Sequence, residues 1–368
     1  MNKNYDYLIV GAGLFGAVFA HEATKSGKKC IVIDKRSHIA GNVHVEEIED
    51  IQVHKYGAHI FHTSDEEVWD YVTSLAKFNN FINTPVANYK GTMYNLPFNM
   101  NTFAKLWDIR TPQEAKEKIE EEKSLYNISE PQNLEEQALK LVGKTVYETL
   151  VKGYTEKQWG RDCKDLPAFI IRRLPLRFTY NNNYFSDPHQ GIPVDGYDSI
   201  VEKLLDGCDV LLNTDYFSFI KENEGIAPKT VFTGAIDEFF GFKLGHLQYR
   251  TVSFETEILD TDNYQGSAVV NYTEREIPFT RIIEHKHFVY GTQPKTVISR
   301  EYPAEWKPGM EPYYPVNDAE NSALYEQYKA LAKSRPDVIF GGRLGMYKYF
   351  DMDKVIRAAL DTARAELK

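Results

Sequence analysis

The stretch Val10-Gly11-Ala12-Gly13-Leu14-Phe15-Gly16 constrains this chain more than any other. An apolar run, Tyr5 to Val10, leads into it, and Ala17 to Ala23 follows with the pattern of a helix. The arrangement reads as strand, glycine turn and helix start. One glycine makes the tight turn, one lets the backbone approach a pyrophosphate, and one lets helix and strand pack closely. The phosphates then meet unpaired helix N–H groups at the positive end of the helix dipole. A second apolar run, Cys30 to Ile33, ends in Asp34, 18 residues past Gly16. That is where an acidic side chain meets the ribose hydroxyls of an adenine dinucleotide. The first 34 residues therefore predict a β-α-β unit with a dinucleotide on it. NAD and FAD both stay open at this point, and the competing reading is the same unit without a ligand.

With 368 residues the chain is too long for one ordinary core, so two or three lobes are expected. A net charge of −10 argues against nucleic acid or a membrane surface as partner, since both attract basic proteins. Any anionic substrate must then be held by local arginines. No run of 18 apolar residues and no charged-then-apolar leader is seen, so a cytoplasmic protein is expected. Cys30, Cys163 and Cys208 are scattered, which suits reduced thiols.

Along the chain, Ile51 to Tyr56 alternates like a strand, and Ser64 with Glu67 forms a capping-box pattern for the helix after it. Thr111-Pro112 with Glu114 starts another helix, Asn133 with Glu136 a third, which Gly143 is placed to end. A further helical stretch runs to about Lys152, ahead of Gly153. Gly196 to Leu205 looks helical, Asp209 to Leu212 looks like a strand, and Thr230 to Thr233 is a strand ending in Gly234. The segments Tyr249 to Glu257, Ala268 to Tyr272, Phe288 to Gly291 and Thr296 to Tyr302 predict an antiparallel sheet. Asn317 to Ser334 and Asp351 to Leu367 are predicted helices around a strand at Val338 to Phe340. The first and last sections are expected to build one discontinuous domain, with the others inserted.

Six stretches together resemble the bacterial UDP-galactopyranose mutases. They are Gly57 to Thr63, Gly153 to Gly160, Asn181 to Phe185, Arg281 to His287, Glu311 to Asn317 and Gly342 to Met352, and the likeness runs essentially the whole chain. Two departures are visible: Ala40 stands where the family usually has a glycine before Gly41-Asn42, and Gly345-Met346 where it usually has Ala-Glu. The resemblance implies an α/β fold in three parts. A discontinuous Rossmann-like FAD-binding domain takes residues 1–80, 190–240 and 315–368; a helical domain takes 100–165; an antiparallel β-sheet substrate domain takes 81–99, 166–189 and 241–314. It also implies the reaction, an interconversion of UDP-galactopyranose and UDP-galactofuranose that supplies galactofuranose for cell-surface glycans. The sugar's anomeric carbon is held on N5 of reduced FAD while UDP is detached. A homodimer is implied too.

The same resemblance assigns residues. Arg173 and Arg281 match the family's diphosphate-binding arginines and, with His62 and Tyr349, are the expected catalytic groups. Arginine suits a diphosphate that must be held while unattached, because its fork is planar and permanently charged. Tyr154, Thr155, Trp159, Tyr184, Arg250, Tyr314 and Asp351 are expected around the nucleotide and sugar, with Asn83 and Asn271 near the sugar. For a single arginine the plain alternative is a structural ion pair, for a tyrosine core packing, and for the asparagines a turn. The FAD contacts expected are Gly11, Gly13, Leu14, Phe15, Gly16, Asp34, Lys35, Gly41, Asn42, His59, Ile60, Thr233, Gly234, Arg343, Tyr349, Asp351 and Met352. His59 with His62, and His285 with His287, invite a zinc reading, but no third ligand completes a site and no metal is expected. The segment around Arg173, between Pro167 and Pro175, is a candidate lid. Two other functions share the glycine loop: an amine-oxidase-like flavin oxidoreductase and a non-enzymatic dinucleotide-binding scaffold. The scaffold leaves the arginine and tyrosine motifs without a purpose.

Overall fold

The computed structural model describes residues 5–171 and 174–368; Arg172 and Arg173 lie outside the described residues, so the expected role of Arg173 rests on sequence alone. A five-stranded sheet runs in the order Val338–Phe340, Lys229–Phe232, Tyr7–Val10, Cys30–Ile33, Asp209–Leu211. Every neighbouring pair in it is parallel. Cys30–Ile33 is buried along its whole length, as a strand covered on both faces must be. Helix Leu14–Lys25 lies on this sheet and packs through Val18 and Phe19 into a core shared with Ile356 and Leu360 of helix Met352–Glu366. The first and last sections of the chain thus meet in one core.

A second sheet has seven strands, in the order Tyr314–Pro315, Tyr249–Leu259, Thr296–Glu305, Arg281–Glu284, Val269–Tyr272, Val86–Tyr89, Thr92–Asn95. It is mixed rather than purely antiparallel, because Val269–Tyr272 pairs in parallel with Val86–Tyr89. That neighbour arrives from a distant part of the chain, so no hairpin dictates its direction. Phe288 to Gly291, expected as a strand, belongs instead to a 3-10 turn at His285–Val289 followed by Tyr290 at φ 55°. The strand in that motif is Arg281–Glu284.

Helices Met100–Trp107, Pro112–Ser124, Leu134–Val146 and Lys152–Trp159 enclose a separate apolar core. Thr111 and Glu114 form the reciprocal cap expected of them, and the backbone breaks at Gly143, φ 79°. Two local readings are overturned. The helix after Thr63 is capped by Asp65, whose side chain accepts from the Val68 N–H, rather than by Ser64. Asp65 is also gripped by Arg357, which fixes it in the capping position. Gly153 lies inside a helix, where it serves a close approach: a Cβ there would sit 2.3 Å from the Thr273 carbonyl oxygen. Among the described residues no helix is long and apolar enough to cross a membrane.

Candidate active site

The carboxyl ends of the parallel strands open on a cavity of about 520 Å³ lined by Val10, Gly11, Gly13, Ile33, Asp34, Lys35, Gly41, Asn42, Thr233 and Gly234. This is the edge at which parallel α/β sheets hold ligands. The glycines fit a pyrophosphate cradle on steric grounds. A Cβ on Gly11, φ 104°, would meet Thr233 Oγ1 at 2.0 Å, and one on Gly16 would meet the Gly11 carbonyl oxygen at 2.0 Å. Asp34 is buried; its carboxylate accepts from the Ala12 N–H at 2.8 Å and the Arg36 N–H at 2.9 Å, pinning the loop from below. Arg36 spans Asn42 Oδ1 and Glu311 Oε1, both at 2.8 Å, and lies over the Tyr56 ring. Leu14 and Phe15, expected to touch the cofactor, turn their side chains into the core. Their position at the helix start leaves only backbone for a ligand.

A second cavity, of about 830 Å³, adjoins the first at Asn42, Tyr313 and Arg343. Two neighbouring cavities of these sizes, one lined by the glycine loop, have room for an extended dinucleotide. His59, Ile60, His62, Asn83, Tyr154, Tyr184, Asn271, Arg281, Tyr314, Arg343, Tyr349, Asp351 and Met352, all singled out from the sequence, line this larger cavity. At its centre Arg281 donates from Nη2 to the Tyr154 hydroxyl at 3.0 Å and faces Glu301 Oε1 with Nε at 3.2 Å. Burial works against the charge on Arg281, but Glu301 and Tyr154 outweigh it and raise the pKa above the ordinary arginine value. Burial also raises the phenols of Tyr154, Tyr314 and Tyr349, so all three stay neutral donors at neutral pH. Asn271 lines the cavity, and its Oδ1 is a buried acceptor with no hydrogen-bond partner among the described residues. Arg343 donates to the Phe350 carbonyl from Nε at 3.0 Å and Nη2 at 2.7 Å and stands over the Tyr349 ring.

Three expected substrate contacts do not line either cavity. Thr155 is buried and lines neither cavity, whereas Tyr154 and Gln158 of helix Lys152–Trp159, four apart, both line the larger one. Arg250 donates to the Gln158 carbonyl and stacks over Trp159 at 5.3 Å, so both tie that helix to the sheet. Conversely Glu301, Tyr313, Tyr56 and Phe185 line the cavity and escaped the sequence reading. Tyr313 stood beside Tyr314 in a singled-out motif, whereas Glu301 shows itself only through strand register, as the partner of Arg281.

His59, His54 and His285 form a hydrogen-bonded series. The His59 N–H donates to His54 Nδ1 at 3.2 Å, the His54 N–H donates to His285 Nδ1 at 3.2 Å, and His285 Nε2 meets Ser299 Oγ at 2.8 Å. Burial drives all three downward, to about 4 for His59, where Arg343 adds to the effect, and to about 3 for His285. Lys286 is buried beside them with Nζ donating to the carbonyls of Asp262, Gln293 and Lys295. Among the described residues no three His, Cys, Asp or Glu side chains are grouped to hold a metal ion.

Comparison with known proteins agrees with this geometry. The family model described as GLF, UDP-galactopyranose mutase, matches residues 149–349, and that of an NAD(P)-binding Rossmann-like domain matches residues 9–75. A Klebsiella pneumoniae protein named "Probable UDP-galactopyranose mutase" is 40% identical over 98% of this chain and 94% of its own length. An Escherichia coli protein named dTDP-fucopyranose mutase is 38% identical over 100% of this chain and 99% of its own. The crystal structure of a reduced UDP-galactopyranose mutase superposes with a TM-score of 0.74 at 14% identity, covering 99% of this chain and 94% of that one, a likeness of fold.

Proposed function

This chain belongs to the UDP-galactopyranose mutase family and is a pyranose–furanose nucleotide-sugar mutase, and on that premise we propose that its substrate pair is UDP-galactopyranose and UDP-galactofuranose and its cofactor FAD, active when reduced. The observation that carries this reading is a cavity at the glycine cradle that shares Asn42, Tyr313 and Arg343 with a second cavity lined by Arg281, Tyr154, Tyr314 and Tyr349. The glycine loop and Asp34 would hold the cofactor, which when bound and reduced would supply nucleophilic chemistry toward the sugar.

The chain's own residues then have separate tasks. Arg281 holds the diphosphate by charge-assisted hydrogen bonds, oriented by Tyr154 and Glu301 on two sides of its guanidinium. Tyr314 and Tyr349 meet edge-on at 6.0 Å and narrow the chamber around the sugar, with neutral hydroxyls to donate. Asn83 and Asn271, whose Oδ1 has no partner among the described residues, accept from sugar hydroxyls. Asp34 and the glycine loop hold the adenosine end, and Arg343 offsets negative charge where the two chambers join.

The Escherichia coli relative favours a second reading, dTDP-fucopyranose and its furanose form. The polar lining at Asn83 and Asn271 supports the more hydroxylated sugar. To test this, the reduced enzyme is given each furanose separately under anaerobic conditions, and the pyranose forms are separated by chromatography. The proposal expects kcat/KM for UDP-galactofuranose to exceed that for dTDP-fucofuranose by at least tenfold; the reverse order replaces it with the second reading.

A further inference from the structure

His62 stands on the short strand Phe61–Thr63, which pairs antiparallel with His189–Gly191 and sets His62 opposite Gln190. The chain just before that second strand closes over the imidazole. Asp187 Oδ2 lies 2.7 Å from His62 Nδ1. Phe185 covers one face of the ring, stacked at 3.7 Å between centroids with 14° between planes. Tyr184 meets Phe185 edge-on at 5.5 Å. Arg177 secures the whole turn, donating to the carbonyls of Asn183 and Tyr184 and to Ser186 Oγ. His62, Tyr184 and Phe185 line the large cavity, while Asp187 stands behind them.

The chemistry of the pair fixes a tautomer. An ionised carboxylate only accepts, so Nδ1 must carry the proton. Nε2, on the other side of the ring, has no protein partner among the described residues. We infer that Asp187 is a positioning residue for His62: it holds the imidazole as the Nδ1–H tautomer, with Nε2 free for the occupant of the cavity, and the Phe185–Tyr184 pair ties that orientation to the nucleotide-sugar side. The identity of the occupant as a flavin rests on the function proposed above; the tautomer does not.

The test uses full-length protein labelled with 15N-histidine, His62 being assigned by the signals lost in His62→Gln. Wild-type protein at pH 8 is expected to show His62 protonated on Nδ1 and unprotonated on Nε2. Removing the acceptor in Asp187→Ala is expected to give a mixture of tautomers, to shift the midpoint potential of bound FAD, and to lower kcat by about tenfold to 100-fold with KM within threefold. Asp187→Glu, which keeps an acceptor, is expected to restore the Nδ1–H signal. A wild-type spectrum with the proton on Nε2 overturns the inference, and it needs no variant at position 187. So does an Asp187→Ala protein whose His62 signals and flavin potential match wild type. A labelled protein that binds no FAD contradicts the functional reading instead, while the spectrum still decides the role of Asp187.

Discussion

Arg281 and Glu301 are direct cross-strand partners, and their side chains meet on the cavity face with Nε 3.2 Å from Oε1. Strand register thus supplies the counter-charge that keeps a buried guanidinium oriented, and the Tyr154 hydroxyl fixes it from a separate helix. Arg281→Ala is expected to lower kcat/KM by about 2–4 kcal/mol of transition-state stabilisation, a factor of about 30 to 1000, since it removes a charge-assisted contact inside a closed site. Steady-state kinetics on protein with an unchanged flavin spectrum measures this, and a variant within twofold of wild type would contradict it.

Gly153→Ala tests the approach of the Tyr154 helix to the sheet. On helix propensity alone alanine should help by about 1 kcal/mol. The added Cβ, however, would lie 2.3 Å from the Thr273 carbonyl oxygen and 2.8 Å from the Arg275 nitrogen, both backbone atoms. Overpacking of this kind costs about 1–3 kcal/mol, so the steric term wins. The expected result is a lower melting temperature and a raised KM, because Tyr154 and Gln158 move with the helix. An equal or higher melting temperature would show that the contact relaxes freely.

The buried histidines set an acid limit on stability. His54 and His285 are almost wholly buried, and burial holds both pKa values below the ordinary 6.5. The unfolded chain therefore binds protons that the folded chain refuses. Stability from this source is complete above about pH 6.5 and is lost as pH falls from there toward the folded values, about 3 for His285. Between pH 8 and pH 5.5 His285 alone should remove about 1.4 kcal/mol, and His54 adds to this in the same direction. Urea unfolding at both pH values checks this, and equal midpoints would refute it.

Ala40 departs from the family's glycine and adopts φ 69°, ψ −6°. A left-handed backbone costs an L-residue about 1–2 kcal/mol. Its methyl group is buried and recovers about 0.8 kcal/mol, and a glycine would add unfolded-state freedom of about 0.5–1 kcal/mol. These terms nearly cancel, so Ala40→Gly should change stability by less than about 1 kcal/mol and leave FAD affinity within threefold. Ala40→Val, β-branched at the same φ, should destabilise by more than about 2 kcal/mol. Thermal melts of both variants, with FAD titration of the glycine variant, separate the two cases.

Features written in local order were legible from the chain. Gly11 to Gly16 with Asp34 announced a strand, turn and helix because the glycines answer short-range demands, visible in the φ of 104° at Gly11 and the Gly16–Gly11 contact. The Thr111–Glu114 cap was legible for the same reason. Glu301 was not, since its role comes from register between strands. Thr155 lies in a singled-out motif yet lines neither cavity, because a motif marks a segment and does not say which of its side chains are covered. Gly153 read as a helix end because a glycine signal does not say whether it serves conformation or close approach.

The central claim is that this chamber rearranges a nucleotide sugar without net redox change, and counting electrons against product tests it most directly. FAD-loaded enzyme, reduced anaerobically with one equivalent of dithionite, is incubated with excess UDP-galactofuranose while flavin absorbance and sugar products are followed together. Many turnovers to UDP-galactopyranose are expected with the flavin still reduced at the end, and no turnover by the oxidised enzyme. Product limited to one equivalent per reduced flavin, or equal activity in the oxidised state, would contradict it.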